Sequence, residues 1–236
     1  MIFARLTVKP VEFDSVAETY AAQHAASIRL SGEEPEYFHR YKIEAVAHLL
    51  NHDGIVPKRI LDFGAGVGNS LPHLQSSFPT AEITCLDVSR ESLAQCSARA
   101  ARPVTILPYD GRSIPSSDGE FDLVFTACVF HHIDACEHLR LLSEIRRVLS
   151  PAGRFVLFEH NPWNPLTQHA VRTCPFDENA VLISGPEMRR RLAAAGFDQI
   201  ELDYRVFFPA PLARFRPIER SLAWLPIGAQ YSLIAS

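Results

Sequence analysis

Residues 60–70 read Ile-Leu-Asp-Phe-Gly-Ala-Gly-Val-Gly-Asn-Ser, and this stretch decides the fold of the chain. An apolar pair leads into the acid Asp62, three glycines follow at alternate positions, and a helix-compatible segment, 71–77, comes next. The order predicts a strand, a glycine turn and a helix. Gly64 and Gly66 can take positive φ without steric cost and let a ligand approach the backbone closely. The helix start beyond them offers unpaired N–H groups that attract a carboxylate or a phosphate.

The spacing of these glycines differs from that of a dinucleotide site. Such sites use Gly-x-Gly-x-x-Gly with the pyrophosphate on the helix start, and here the third glycine, Gly68, comes one position earlier. The carboxylate of Asp62, before the turn, would repel a pyrophosphate and favour a ligand with an ammonium group. A second acid, Asp87, ends the apolar run 83–86. It follows the glycines by about 20 residues, where the tip of a second strand can bind ribose hydroxyls.

Three motifs in chain order resemble those of the class I S-adenosylmethionine-dependent methyltransferases. They are Asp-Phe-Gly-Ala-Gly-Val-Gly at 62–68, Leu-Asp-Val-Ser at 86–89 and Asp-Gly at 110–111. The set is specific, whereas any one motif is not. The resemblance runs from about residue 58 to 159, resumes at 184–202, and is to the small-molecule type found in ubiquinone and menaquinone biosynthesis. It implies S-adenosyl-L-methionine as cofactor, S-adenosyl-L-homocysteine as product, and in-line methyl transfer to a small-molecule acceptor.

The resemblance also implies a place for each part of the cofactor. The glycine turn would hold the amino-acid end, Asp87 the ribose and Asp110 the adenine amino group, while Asp62 would orient the turn. An ordinary Asp-Gly turn stays open as the alternative role of Asp110. The residues expected to bind the cofactor are Asp62, Gly64, Ala65, Gly66, Gly68, Asp87, Val88, Asp110, Gly111, Ala127, Cys128, Val129 and His132.

The resemblance and the apolar runs together predict an α/β fold. We expect a Rossmann-like seven-stranded mixed sheet in the order 3-2-1-4-5-7-6, with helices on both faces and an N-terminal helical lid. The sixth and seventh strands would form its antiparallel edge. The expected strands are 59–63, 82–86, 104–108, 121–127, 154–158, 200–207 and 231–234. A single methyltransferase domain would span 1–236, with a helical cap at 1–55, a core at 56–208, and an apolar insertion and final strand at 209–236.

Capping patterns predict where several helices begin. Ser89 is the expected cap of one helix, and capping-box pairs at 134 and 137 and at 184 and 187 predict two more. Residues 160–183, which carry two prolines near their start at 162 and 165, are expected to form a long connection, and such loops are often lids or binding loops. Residues 209–228 carry four prolines among many apolar residues. They predict an ordered insertion near the substrate side or a partner surface.

Composition limits the partners and the compartment. The chain has 236 residues, a net charge of -4 and no basic stripe, so a nucleic-acid partner is not expected. The 5 cysteines form no Cys-x-x-Cys pair, which favours free thiols in a reducing compartment. No apolar run approaches the roughly 20 residues of a membrane helix, and residues 1–10 lack the apolar core of a signal peptide. We therefore expect a cytoplasmic protein with a small-molecule substrate and no integral membrane segment, and leave a homodimer open.

Candidate general bases stand at the ends of the fourth and fifth strands: His131, His132, Glu159 and His160. A neutral hydroxyl acceptor benefits from a base, whereas a carboxylate or an acidified carbon does not. The chain holds 10 histidines, so each is more often structural than catalytic. The histidine pair with Asp134 and His138 nearby suggests a metal, but a helix after Ile133 would give poor ligand geometry. No metal is expected.

Aromatic residues near the expected lid and loop supply the candidate substrate contacts. They are Tyr20, Tyr37, Tyr41, Trp163 and Asn164. Packing aromatics are the alternative for the three tyrosines, and a proline-stiffened surface turn is the alternative for the last two. The fourth strand is followed by Cys-Val-Phe-His at 128–131 rather than by Asn-Pro-Pro-Tyr, which disfavours amide and exocyclic-amine nitrogen. An oxygen or carbon of a metabolite, apolar or lipid-like, is the expected acceptor.

Two other functions stay open from the residues alone. A nicotinamide-dependent oxidoreductase would share the α/β sheet, but it would need the wider glycine spacing. The short-chain type would also need a Tyr-x-x-x-Lys pair, which this sequence lacks. A cofactor-binding, non-catalytic subunit is the second alternative. The acids Asp62, Asp87 and Asp110 argue against it, because a degenerate site has no need to keep all three.

Overall fold

The computed structural model describes residues 26–236. Tyr20, one of the expected substrate residues, lies outside this range, as do residues 1–25 of the expected helical cap. The described residues form a seven-stranded sheet in the order β3-β2-β1-β4-β5-β7-β6. The strands are β1 (Arg59–Phe63), β2 (Glu82–Asp87), β3 (Thr105–Pro108), β4 (Phe121–Ala127), β5 (Leu149–His160), β6 (Glu201–Arg205) and β7 (Gln230–Ala235).

One helix precedes β1, and others lie in connections between the strands. They are α1 (Pro35–His52), α2 (Leu71–Ser77), α3 (Arg90–Ala98), α4 (His138–Val148), α5 (Pro165–Thr173) and α6 (Gly185–Ala194). Short 3-10 segments are Arg29–Ser31, Phe130–His132, Pro175–Asp177 and Ala210–Leu222. No helix among the described residues is both long and apolar enough to cross a bilayer.

Strand pairing confirms the predicted topology. β1 pairs in parallel with β2 and with β4, β3 joins β2, and β5 joins β4. β7 runs antiparallel to both β5 and β6, which gives the predicted antiparallel edge. Because the first five strands are parallel, their carboxyl ends meet at one edge of the sheet, where ligands bind in open α/β folds.

The core has two parts, one on each face of the sheet. Successive strand residues point to opposite faces, so Leu61 and Phe63 join one buried cluster and Ile60 joins the other. The first cluster includes apolar residues of α4 and α6, and the second includes those of α1, α2 and α3. Burial on both faces explains why β4 reads as a nearly continuous apolar run.

Two of the three predicted helix caps are confirmed. The Ser89 hydroxyl accepts the Ser92 N–H at 3.0 Å, and the Ser184 hydroxyl accepts the Glu187 N–H. The prediction at 134 and 137 was wrong, because α4 begins at His138 without a side-chain cap. Residues 134–137 instead form a turn in which the N–H of the last residue bonds the carbonyl of the first at 2.9 Å.

The expectation that 160–183 is a plain connection was also wrong. This segment contains α5 and the 3-10 turn Pro175–Asp177. The side chain of Asn164 caps α5 by accepting the Thr167 N–H at 3.0 Å. Pro165 then occupies the first helical turn, where the missing N–H of proline costs no hydrogen bond. Pro165 and Pro175 therefore begin helical segments, whereas Pro162 lies in a turn.

Strand ends differ modestly from the prediction. β5 begins at Leu149, earlier than expected, with a register irregularity between Phe121 and Leu123 of β4. β6 ends at Arg205 because the next residue, Val206, turns out of the strand with φ 61°. Residues 209–228 contain the 3-10 segment Ala210–Leu222, and they expose large apolar side chains, among them Trp224 at 74%.

Candidate functional site

A cavity of about 190 Å³ lies beyond the carboxyl ends of the parallel strands. One water needs only about 10–15 Å³ on this measure, so the space admits a larger ligand. Phe38 and Lys42 of α1 line one side. Most of the expected cofactor residues line it too, namely Asp62, Gly64, Ala65, Gly66, Asp87, Val88, Ala127, Cys128, Val129 and His132. Three of them do not line it, namely Gly68, Asp110 and Gly111.

The three glycines of the turn have different structural roles. All have positive φ, at 74° for Gly64, 53° for Gly66 and 79° for Gly68. A Cβ on Gly64 would lie 2.5 Å from Val129 Cγ2, and one on Gly68 would lie 2.9 Å from Cys96 Cα. A Cβ on Gly66 would meet no heavy atom within 4 Å. The outer glycines therefore allow close packing, while the middle one faces open space in the cavity wall.

Asp62 is a buried acid with an unused oxygen. Its side chain is 3% exposed, and Oδ2 has no hydrogen-bond partner among the described residues. Burial and then the charge of Asp87 raise the pKa of the Asp62 carboxyl to about 7. A buried carboxylate without a partner is costly. A cationic group entering the cavity would supply the missing partner.

Asp87 fixes the backbone on both sides of the cavity edge. Its Oδ2 accepts the Gly66 N–H and its Oδ1 accepts the Ser89 N–H, each at 2.9 Å. The first bond holds the glycine turn of β1 against β2, and the second fixes the start of α3. Asp87 therefore lies beside the glycine turn, while its contact with ribose stays a prediction.

Asp110 lies in an exposed turn beside the cavity rather than in its wall. Its Oδ1 accepts the N–H groups of Arg112 at 2.8 Å and Ser113 at 3.1 Å. The hydrogen bonds from Ser113 and Arg112 lower the pKa of the Asp110 carboxyl. The neighbouring Tyr109 lines the cavity instead. These contacts are those of an Asp-Gly turn, and the adenine contact of Asp110 stays a prediction.

Glu159 and His131 form a buried pair at the ends of β5 and β4. Glu159 Oε2 lies 2.6 Å from His131 Nδ1, and Oε1 accepts the N–H groups of Val129 at 3.0 Å and Phe130 at 2.7 Å. Burial opposes both charges, but the mutual attraction and hydrogen bond outweigh it. The pKa of Glu159 falls to about 2 and that of His131 rises to about 10. Glu159 therefore lies behind the histidine as its fixed partner, and His131 lines the cavity.

Asp177 completes a cluster that sequence reasoning missed. Its Oδ1 lies 3.6 Å from His131 Nε2 and 3.4 Å from His132 Nε2. Burial raises the pKa of Asp177, but its contacts with His131 lower it to about 2. Burial and the charge of His131 lower the pKa of His132 to about 3. The ligand atoms of the three residues lie within 4.8 Å of one another.

The metal ligands considered from sequence are placed differently. His138 is buried in the first turn of α4, where its Nε2 bonds the Ile133 carbonyl at 2.9 Å and its Nδ1 meets the Arg191 guanidinium. Both ring nitrogens are therefore used. Asp134 lies in the preceding turn and is not part of the cluster. The third ligand of the cluster, Asp177, comes from the turn Pro175–Asp177. This turn lies more than 40 residues further along the chain, so only the fold reveals the ligand.

Cys128, Lys42 and His160 form a second polar group in the cavity wall. Cys128 directly follows the last residue of β4 and has φ 59°, a backbone conformation that is unusual for residues other than glycine. Lys42 Nζ lies 3.5 Å from Cys128 Sγ. Burial raises the pKa of Cys128, but the charges of His160 and Lys42 outweigh it and lower the pKa to about 7. Sequence reasoning missed Lys42, although it stands one helical turn after the buried Phe38 on the same face of α1.

The expected substrate residues are dispersed. Tyr41 does not line the cavity, but its hydroxyl donates to Gln230, which does. Tyr37 lies under the Arg216 guanidinium at 4.5 Å from its ring centroid, Trp163 stacks on Tyr204, and Asn164 caps α5. None of these three lines the cavity. The alternatives of packing aromatics and a surface turn describe their contacts, and their substrate roles stay predictions.

Comparison with known proteins identifies the family. A family model of the methyltransferase domain matches residues 60–153. A malonyl-[acyl-carrier protein] O-methyltransferase of Geobacter sulfurreducens is 31% identical over 192 residues, which cover 75% of this chain and 71% of that protein. The chain belongs to the class I S-adenosylmethionine-dependent methyltransferases. The sequence prediction of a methyltransferase is thereby confirmed, and the nicotinamide and non-catalytic alternatives are not favoured.

Other relatives in this family match over shorter spans or in fold alone. A demethylmenaquinone methyltransferase of Thermus thermophilus is 37% identical over 109 residues, covering 45% of this chain and 49% of that one. A solved S-adenosylmethionine-dependent methyltransferase of Thermotoga maritima, described as a possible histamine N-methyltransferase, superposes with a TM-score of 0.68. It covers 96% of this chain and 98% of its own, at 17% identity, and shows the fold only.

The cavity fits the cofactor of this family. Its wall combines an unpartnered buried carboxylate oxygen at Asp62, an open position over Gly66, and the carboxylate of Asp87. S-adenosylmethionine carries an ammonium group and a sulfonium, so an acidic cavity edge complements it. A pyrophosphate would meet two acids there instead.

Proposed function

We propose that this methyltransferase transfers the methyl group to a carboxylate oxygen of an acyl-type acceptor, forming a methyl ester. The observation that carries the proposal is the ammonium group of Lys42 in the cavity wall. The O-methyltransferase activity named for the Geobacter relative supports it, because a malonyl group offers a free carboxylate.

Lys42 is placed to hold an anion. Its side chain is 4% exposed, and an ammonium group buried to this degree is costly unless it is paired. Within residues 26–236, the Lys42 ammonium group forms a hydrogen bond to the Cys128 thiol. With a pKa of about 7, that thiol is only partly ionised at neutral pH and compensates the charge incompletely. An acceptor carboxylate would complete the compensation.

The cofactor would lie on the opposite side of the same cavity. We assign its ammonium group to Asp62, its amino-acid end to the backbone around Gly66, and its ribose to Asp87. S-adenosylmethionine supplies a sulfonium-bound methyl that is already activated for displacement. The protein then has to hold the acceptor oxygen in line with that methyl, and such positioning provides much of the rate.

A carboxylate acceptor also fits the protonation states around it. An ionised carboxylate carries its own lone pair and needs no general base. Glu159, one of the candidate bases, uses both oxygens on His131 and on backbone N–H groups. It is therefore committed to structure, and the site does not need it to take a proton from the acceptor.

The proposal is tested by the chemical lability of the product. The purified protein is incubated with isotopically labelled S-adenosylmethionine and a pool containing malonyl and longer-chain carboxylic acids, free and thioester-linked, together with a demethylated quinol. Methyl esters release labelled methanol in mild alkali, whereas C-methyl and N-methyl products do not. We expect alkali-labile label, strongly reduced in Lys42→Gln and retained in the control Lys58→Gln, whose side chain is exposed.

Alkali-stable label in the same experiment would overturn the carboxylate acceptor and leave the methyltransferase assignment standing. Equal ester formation by wild type and Lys42→Gln would remove Lys42 from the proposal. Lys42→Arg retains the charge, so partial activity in that variant supports an electrostatic role. A loss of folding is detected independently by circular dichroism.

A further inference from the structure

We propose that His131, His132 and Asp177 bind a divalent transition-metal ion of the zinc class in the wall of the cavity. The proposal concerns binding and does not depend on the identity of the methyl acceptor. It goes beyond the sequence, in which Asp177 is remote from the histidine pair.

The two distances from Asp177 to the histidines match the edges of a tetrahedral metal site, and the ligand atoms of all three residues lie within 4.8 Å of one another. Asp177 Oδ1 lies 3.6 Å from His131 Nε2 and 3.4 Å from His132 Nε2. These separations exceed the roughly 2.7–3.2 Å of an N–H···O hydrogen bond. Ligand bonds of about 2.0–2.1 Å at a tetrahedral centre place two ligand atoms roughly 3.3–3.5 Å apart. The two measured separations therefore suit ligands of a common ion.

The buried carboxylate of Glu159 orients the first ligand. It takes the Nδ1–H of His131 at 2.6 Å, which leaves Nε2 directed toward His132 and Asp177. A carboxylate on the far nitrogen is the usual support of a metal-binding histidine, since it fixes the tautomer and the ring orientation. Two backbone N–H groups hold the other oxygen of Glu159 in turn.

One backbone hydrogen bond joins the two ligand segments, and another fixes the turn that carries Asp177. The Val181 N–H donates to the His131 carbonyl at 2.8 Å, and the Asp177 N–H donates to the Cys174 carbonyl at 3.0 Å. The histidines stand on the 3-10 segment Phe130–His132 and the acid on a second short 3-10 turn. The ligand set is therefore built on fixed backbone at both ends.

The donor types select the class of ion. Two imidazoles and one carboxylate suit zinc and neighbouring divalent transition metals, whereas calcium and magnesium prefer shells of oxygen. All three residues line the cavity. Three protein ligands leave a fourth position, as in catalytic zinc sites, and here it would face the cavity, where an acceptor oxygen can bind.

The competing arrangement is a simple ion pair between protonated His131 and Asp177. Metal binding distinguishes the two, because an ion pair binds no Zn²⁺ specifically. The full chain is stripped with a chelator and titrated calorimetrically with Zn²⁺, and Co²⁺ is then added as a spectroscopic probe. We expect a single equivalent to bind, with the intense visible absorption of tetrahedral Co²⁺.

Variants assign the ligands. Asp177→Asn and His132→Gln should each weaken Zn²⁺ binding and lose the Co²⁺ band. Glu159→Gln, which keeps all three ligands, should weaken binding about 10–100-fold. The control His48→Gln, on the exposed face of α1, should bind like the wild type. The proposal would be overturned if the wild-type protein bound Zn²⁺ no more tightly than a double variant that combines His48→Gln with Asp177→Asn. It would also be overturned if the wild-type protein showed no tetrahedral Co²⁺ spectrum, and this second result holds even if a variant fails to fold.

Discussion

Asp87 stands two residues beyond Cys85, the register partner of Asp62 on the adjacent parallel strand, and its charge helps to raise the pKa of Asp62 to about 7. The two acids differ in their partners. Asp87 uses both oxygens on backbone N–H groups, while Asp62 keeps Oδ2 without a partner among the described residues. The cavity therefore contains one structural acid and one acid available to a cationic ligand.

The affinity for S-adenosylmethionine should rise as the pH increases through about 7. Asp62 is partly protonated in the free protein near that pH, and a ligand ammonium group favours its ionised form. Binding should therefore release protons, which calorimetry detects by comparing buffers of different ionisation enthalpy. In Asp62→Asn the affinity should be lower and the proton release smaller. A wild-type affinity that is flat between pH 6 and 8 would argue against a contact between Asp62 and the ligand cation.

The same group should make the cofactor-free protein less stable at higher pH. The folded state keeps a proton on Asp62 between pH about 4 and about 7, where the unfolded state has lost it. Stability therefore falls across that window, by on the order of 4 kcal/mol at most from this group. Asp62→Asn should remove this dependence and unfold at a higher denaturant concentration than wild type at pH 8. An identical pH profile in wild type and variant would contradict the raised pKa.

The glycines of the turn should separate stability from binding. Gly68→Ala places a Cβ 2.9 Å from Cys96 Cα, so we expect a loss of stability of about 1–3 kcal/mol or more from overpacking. Gly66→Ala meets open space and costs only about 1–2 kcal/mol of positive-φ strain, but its methyl group enters the cavity. Thermal unfolding and calorimetric titration of both variants measure the two effects. Unchanged cofactor affinity in Gly66→Ala would place the ligand elsewhere.

Asn161 should stabilise the end of the fold that carries β7. It is fully buried, and its Nδ2 donates to the Pro226 carbonyl at 3.1 Å and to the Gly228 carbonyl at 2.8 Å. Asn161→Ala leaves these buried carbonyls short of a donor, at a cost of roughly 1–3 kcal/mol. Denaturant unfolding of this variant and of the exposed Asn51→Ala provides the comparison. Equal stability of the two variants would show that the carbonyls find other donors.

Much of the sheet could be predicted because its signals are local. Apolar runs that lead into acids placed β1 and β2, a nearly continuous apolar run placed β4, and the serine caps at 89 and 184 located two helices. Those same signals placed Asp62 and Asp87 at the ends of two strands, and the carboxyl ends of adjacent parallel strands lie at one edge of the sheet.

The rest of the site depends on contacts between distant segments. Asp177 lies beside the histidine pair although it is more than 40 residues away in the chain, and a backbone hydrogen bond from Val181 to His131 joins the two segments. Lys42 lies on α1, and the spacing of apolar residues in the sequence indicates the buried face of this helix. The sequence does not indicate that Lys42 contacts Cys128. The prolines misled the prediction for 160–183. A long connection was expected there, but Pro165 begins the helix α5. Local patterns carry no information on any of these three placements.

Calorimetric titration of S-adenosylmethionine into wild type, Asp87→Ala and the exposed control Glu82→Ala, with folding checked by circular dichroism, tests whether the strand tips hold the cofactor. Wild type and Glu82→Ala should bind alike, and folded Asp87→Ala should bind at least about tenfold more weakly, a difference of roughly 1.4 kcal/mol. Binding to Asp87→Ala that equals binding to wild type would contradict a cofactor site at the ends of β1 and β2.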